Sequence, residues 1–249
     1  MLYWIFKWVF FDAGVRLLWG TRIEGHEHIP VSGPAILVGN HISSADTFLL
    51  PAMMKRRLTF PAKAELFAGR GPGARFISWF LKSVGQLPMD RSGGRASASS
   101  MDGVLAVLRH GELLGIFPEG TRSPDGRLYK GKTGVARLVL QADVPVVPVG
   151  FVDTEWVRSR LGIPWLRRPV IKIGPPLDFS AYAAAATDRD VLRWVTDEIM
   201  AAVQQLSGQE YVDAYGASVK SALAEGRTFP AAVHSRPGDG RPVPSQPGG

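Results

Sequence analysis

The chain has 249 residues, 45% hydrophobic and 20% charged, which is the composition of a folded protein with one large core or two small ones. Its 29 Lys and Arg against 22 Asp and Glu leave a net charge of +7, which favours anionic partners: a lipid surface, phosphorylated substrates or nucleic acid. The absence of cysteine excludes disulfides, Cys-ligated zinc, iron–sulfur clusters and a thiol nucleophile, and leaves the redox compartment open.

Residues 1–20 are densely apolar and aromatic (Trp4, Phe6, Trp8, Phe10, Phe11, Trp19) but are broken by Lys7, Asp12 and Arg16, too many charges for a spanning helix. No positive charge precedes the apolar stretch and no small-residue cleavage site follows it, so a secretory signal does not fit. An N-terminal membrane-associating helical segment over 1–20, with tryptophans at headgroup depth, is the expectation, and an ordinary buried helix is the alternative. Residues 35–40 form an apolar run ending in polar residues and predict a buried strand, with His41 just beyond it. Ser43 and Ser44 are placed to cap a helix through Asp46, Phe48, Leu49 and Leu50, with Lys55, Arg56 and Arg57 marking its end. A short strand is expected at 58–61 and helices at about 74–83 and 94–110, the latter stopped by Gly111.

A strand at 113–117 runs into Pro118-Glu119-Gly120-Thr121-Arg122-Ser123, and Pro124-Asp125-Gly126 signals a turn. A helix near 133–141, strands at 144–151 and 170–173 and a helix over 188–206 continue the alternation. Such alternation predicts an α/β fold: a mixed, largely parallel sheet flanked by helices, with functional residues where strands end and loops begin. One domain over 21–228 is expected. Residues 229–249 are rich in Pro, Gly and Ser, poor in large apolar groups, and expected to be disordered.

Chemistry concentrates in two clusters. His41 and Asp46 are five residues apart, so they could not share a face of one helix, but a loop histidine can receive a carboxylate from the first turn beyond it. That contact would orient the imidazole and free its other nitrogen as a general base. By themselves the two residues are weak evidence for catalysis, and a structural loop histidine is the commoner reading. In the second cluster Gly120 allows close backbone approach to a ligand, Thr121 offers a hydroxyl and Arg122 a bidentate grip on phosphate. Read without a ligand, it is a strand-ending turn with solvated charges.

His41 and Asp46 followed some seventy positions later by Phe117-Pro118-Glu119-Gly120-Thr121-Arg122-Ser123 resemble the glycerolipid acyltransferases, typified by 1-acyl-sn-glycerol-3-phosphate acyltransferase. Gly85-Gln86-Leu87-Pro88-Met89-Asp90-Arg91 looks like that family's second motif, with Pro88 where many members carry an aromatic residue, and Val144-Pro145-Val146-Val147-Pro148-Val149 looks like its fourth. The resemblance spans about 20–180. It implies that His41 deprotonates the acceptor hydroxyl, that Asp46 orients His41, and that Arg122, Lys63 and Arg91 hold the acceptor phosphate while Glu119, Gly120 and Thr121 shape the loop. It further implies a fatty acyl donor, acyl-CoA or acyl carrier protein, an acceptor lipid such as 1-acyl-sn-glycerol-3-phosphate, no cofactor or metal, and work at the cytoplasmic face of a membrane.

Other readings fit less well. A Ser-His-Asp triad through Ser43 or Ser44 lacks a Gly-x-Ser-x-Gly elbow. His26 and His28 beside Glu24 and Glu27 have too few companions for a metal site and read as a solvated loop. Lys130 and Lys132 suit either headgroup contact or a solvated helix start. The aromatic residues gather at the N-terminus rather than interleaving with a basic stripe, which argues against nucleic acid. A non-catalytic lipid-surface binding protein is the rival from a different class.

Overall fold

The computed structural model describes residues 13–83, 86–89, 94–160, 162–230 and 232–246. The first half folds in the order α1 (Ala13–Trp19), β1 (Arg22–Glu24), β2 (Ala35–Gly39), α2 (Asp46–Met53), β3 (Leu58–Thr59), β4 (Pro61–Lys63), α3 (Glu65–Ala68), α4 (Pro72–Ser83), β5 (Leu87–Met89) and α5 (Gly94–Arg109). There follow β6 (Leu113–Ile116), β7 (Leu128–Tyr129), α6 (Gly134–Ala142), β8 (Val146–Val152), β9 (Val157–Arg158), β10 (Pro164–Trp165), β11 (Val170–Ile173), α7 (Arg189–Ser207), β12 (Tyr211–Val212), α8 (Gly216–Ala224) and β13 (Val233–His234).

Six strands form the central sheet in the order β1-β11-β8-β2-β6-β3. All neighbours run parallel except β11 and β8, so the sheet is mixed and largely parallel, as the alternation of elements predicted. Its inner strands are apolar along their whole length because both faces are covered: Ala35 and Leu37 of β2 join a core under α2, while Ile36 and Val38 join a second core with α5, α6 and α7. Side chains such as Ile36 and Leu37, almost fully buried, each contribute roughly 1.5–3 kcal/mol by leaving water. Arg56 closes the end of the sheet opposite the motif loops, donating to the carbonyls of Pro30, Gly33 and Gly111.

Several expectations change. The strand expected at 58–61 divides: Leu58 and Thr59 pair with β6, whereas Pro61–Lys63 turn away to pair with β5. Proline has no N–H for a ladder, and Phe60, accepting from the Leu87 N–H, makes the switch between sheets. Ser43 and Ser44 do not cap α2, whose N-cap is Ala45 with no side-chain hydrogen bond. Instead the Ser43 hydroxyl donates to the Thr154 carbonyl and accepts from the Ala45 N–H, and the Ser44 hydroxyl accepts from the Trp156 indole. The His26–His28 turn is not a solvated loop throughout, because His28 Nδ1 donates to the Ile173 carbonyl at 2.9 Å.

Residues 232–246, which composition predicted as disordered, lie along α7. Val233 and His234 pair with β12, Arg236 reaches Glu198, and Arg241 reaches Asp197. Tyr182 donates to the Pro244 carbonyl. Ion pairs and backbone pairing hold the segment where apolar side chains are few. The expected membrane-associating segment falls mostly on residues 1–12, outside the described residues; α1 covers the rest. Among the described residues no helix is long and apolar enough to cross a membrane.

Candidate active site

The parallel pairing of β2 with β6 sets Val38 opposite Ile116. His41 and Glu119 each lie three residues further along, so the two motifs, distant in sequence, emerge side by side at the carboxyl edge of the sheet. The backbone of His41 is held from two points of the 117–123 cluster: its N–H donates to Glu119 Oε1 at 2.9 Å, and its carbonyl accepts from the Ser123 N–H at 2.7 Å.

The side chain is fixed as closely. His41 Nδ1 lies 2.9 Å from Asp46 Oδ2, an oxygen that also accepts from the N–H groups of Ile42 and Ser43 at 2.8 and 2.9 Å. A carboxylate oxygen only accepts, so in this contact Nδ1 is the ring donor and Nε2 keeps the lone pair. Asp46 is wholly buried, whereas the His41 side chain keeps 15% of its surface exposed. The imidazole stacks on Phe117 with centroids 4.1 Å apart and a 13° tilt, and Phe117 stacks in turn on Phe60 at 5.2 Å. Gly115 makes room for this stack, since a Cβ there would stand 2.3 Å from the Phe60 ring.

Glu119 points inward. It is buried, and its oxygens accept from the N–H groups of His41 and Tyr129. Burial pushes its carboxyl up to about 8, against the pull of those two backbone hydrogen bonds and with a further push from the nearby Asp46 charge. Through those bonds it braces the His41 loop from beneath. Gly120 sits at φ +70°, a left-handed conformation suited to glycine, with the Lys132 side chain close to where a Cβ would be. Thr121 packs against α8 at Gly216. Arg122 is exposed and has no ion pair or hydrogen bond among the described residues. Lys130, by contrast, is committed to Asp213 at 2.9 Å and is not a free headgroup contact.

Lys63 ends β4 opposite Met89 of β5, two positions before Arg91. Arg91, Asp90 and Gly85 of the second motif lie outside the described residues. Sequence reasoning missed Asn40, which is fully buried, exchanges two hydrogen bonds with the Phe151 backbone and donates to Gln209. It extends the β2–β8 ladder past the last strand residue and so fixes the takeoff of His41. Its only signal was a polar residue closing an apolar run. Among the described residues no three His, Asp or Glu side chains converge as metal ligands would.

Residues 20–152, more than half of the chain, match the Acyltransferase family. The chain belongs to that family. Similar curated proteins include the chloroplastic 1-acyl-sn-glycerol-3-phosphate acyltransferase LPAT1 of Arabidopsis thaliana, 33% identical over 53% of this chain and 36% of that protein. The alpha form of the human enzyme is 32% identical over 54% of this chain and 47% of its own length. The enzyme of Limnanthes douglasii is 30% identical over 71% of this chain and 60% of its own. The match thus spans between 36% and 60% of these relatives' length. The fold resembles the crystal structure of the 1-acyl-sn-glycerophosphate acyltransferase PlsC of Thermotoga maritima, with a TM-score of 0.58 and 24% identity, over 79% of this chain and 75% of that one.

Proposed function

We propose that the chain transfers a fatty acyl group from acyl-CoA or acyl carrier protein to the free hydroxyl of 1-acyl-sn-glycerol-3-phosphate, giving phosphatidic acid. The observation that carries this is His41 held through Nδ1 by the buried Asp46 carboxylate while its own ring stays partly exposed. In the reaction Nε2 takes the acceptor hydroxyl proton as that oxygen attacks the thioester carbonyl. Collapse of the tetrahedral intermediate expels the thiolate, which receives the proton from His41. Asp46 stabilises the transient imidazolium. With no cysteine in the chain and no serine elbow, direct transfer between two bound substrates is the simpler route.

Arg122, Lys63 and Arg91 hold the acceptor phosphate in this scheme, with Gly120 and Thr121 shaping the approach. Lys132, exposed beside Gly120, adds a further cation to the same rim. Residues 1–20 attach the protein to the cytoplasmic face of a membrane. Pro88, exposed on β5 within the second motif, favours a second possibility for the acceptor, another lysophospholipid or a glycolipid. The test is transfer of radiolabelled oleoyl from its CoA thioester to lysophosphatidic acid in mixed micelles. Labelled phosphatidic acid from wild type and none from His41→Ala is expected. An inactive wild type on every lysolipid and glycolipid acceptor, with liposome binding intact, would establish the non-catalytic binding protein instead.

A further inference from the structure

Beyond the catalytic edge, β9 and β10 form an antiparallel hairpin whose surface the proposed reaction does not use. Trp156, Ile163 and Trp165 on it are exposed, as are Leu17 and Leu18 at the end of α1. Isolated exposed apolar residues are ordinary, but these are joined through Trp19, whose ring lies 5.9 Å from Trp156 and 6.3 Å from Trp165. A cleft of about 500 Å³ opens between the two elements, lined by Leu17, Leu18, Trp19, Trp165, Arg167 and Arg168. The Trp19 indole N–H is buried there without an acceptor among the described residues.

Beyond the acidic Asp153 and Glu155 at its root, the hairpin carries charge of one sign. From Trp156 to Lys172 the sequence carries Arg158, Arg160, Arg167, Arg168 and Lys172 and no acidic residue, and all four arginines are exposed. Half-exposed tryptophans suit a boundary between hydrocarbon and water, and interleaved guanidinium groups suit lipid phosphates. We propose that the β9–β10 hairpin, together with the carboxyl end of α1, is a docking surface for an anionic lipid bilayer. Its root is fastened to the His41 loop by the Ser43 hydroxyl on the Thr154 carbonyl, the Trp156 indole on the Ser44 hydroxyl, and the contact of Phe48 with Trp156. Docking therefore sets the height of His41 above the lipid headgroups.

The absence of cysteine makes a site-specific test direct. Ile163→Cys carries one environment-sensitive fluorophore, and His110→Cys, before β6 at the opposite end of the sheet, serves as control. With phosphatidylglycerol vesicles, the dye at 163 should shift to the blue and be quenched by nitroxide lipids labelled near the headgroup, and the dye at 110 should do neither. Replacing Arg158, Arg160 and Arg167 with serine should weaken binding about fivefold per arginine, with little effect on phosphatidylcholine vesicles. Vesicle binding does not depend on acyl transfer, so the two readings fail separately. A protein that sediments with anionic vesicles while the dye at 163 stays in water, or that does not sediment at all, overturns the proposal.

Discussion

At the scale of single residues, the Asp46 carboxylate both fixes the His41 tautomer and supplies charge, and Asp46→Asn separates the two. The asparagine oxygen can still accept from the Nδ1–H and from the Ile42 and Ser43 N–H groups, so the loop geometry survives. What is lost is the negative charge facing the imidazolium. We expect kcat to fall about a hundredfold with KM little changed, read by steady-state kinetics, whereas Asp46→Ala, which also frees the ring, should fall further. A kcat equal to wild type in Asp46→Asn would remove Asp46 from the mechanism. Glu119 gives a pH signature. Its carboxyl is raised to about 8 in the folded protein from an ordinary 4.5, so between those values the folded state binds a proton that the unfolded chain has released. Stability is then fully present at the acid end and declines as pH rises toward 8, by up to ~1.4 kcal/mol per pH unit. Urea midpoints measured from pH 5 to 8.5 should show this decline for wild type and a flat profile for Glu119→Gln. Parallel profiles would mean that the two backbone hydrogen bonds, not burial, set this carboxyl. His41, Asp46 and the 117–123 cluster were visible as a pattern of residue types. The burial of Glu119 was not, because a glutamate in a Gly-containing loop reads as solvated until the strand beside it is known.

At the scale of elements, the small residues of the central strands report what crosses them. Gly115→Ala would drive a methyl into the Phe60 ring, and because Phe60 supports Phe117 beneath His41, the strain reaches the base. A loss of roughly 1–3 kcal/mol in denaturant stability is expected, with a lower kcat. Gly103→Ala is the contrasting case: it lies on the exposed side of α5 with nothing within 4 Å of the new methyl, and should gain about 0.5–1 kcal/mol with activity unchanged. Equal effects of the two substitutions would show that the aromatic stack carries no strain to the site. Hydrophobic period and punctuation were enough to anticipate β2, β6, β11 and α7 to within a residue or two. They could not anticipate the break at Phe60, because it depends on which partner each half of the run meets.

At the scale of the whole molecule, the carboxyl-terminal segment is tied to α7. Asp197 is buried between Arg193 at 2.5 Å and Arg241 at 3.5 Å, and Gly238, at φ +71°, comes so close that a Cβ would stand 2.8 Å from Asp197. Removing residues 232–249 leaves Asp197 with Arg193 as its one remaining cation of the pair, and should lower stability by about 1–3 kcal/mol in urea titrations. The exposed Arg236–Glu198 pair accounts for little of that. An unchanged midpoint would restore the expectation of a disordered tail. The sequence by itself determined the class of the fold, the order of its elements and the residues able to do acid–base chemistry, because strand and helix periods, turn residues and side-chain pKa ranges are local properties. Only the tertiary structure decided that His41 and Glu119 stand at one level of neighbouring strands, that Asn40 and Gln209 brace them, and that a Trp- and Arg-bearing hairpin hangs beside them. Each of these depends on register between segments far apart in the chain, and register is fixed by packing across the sheet.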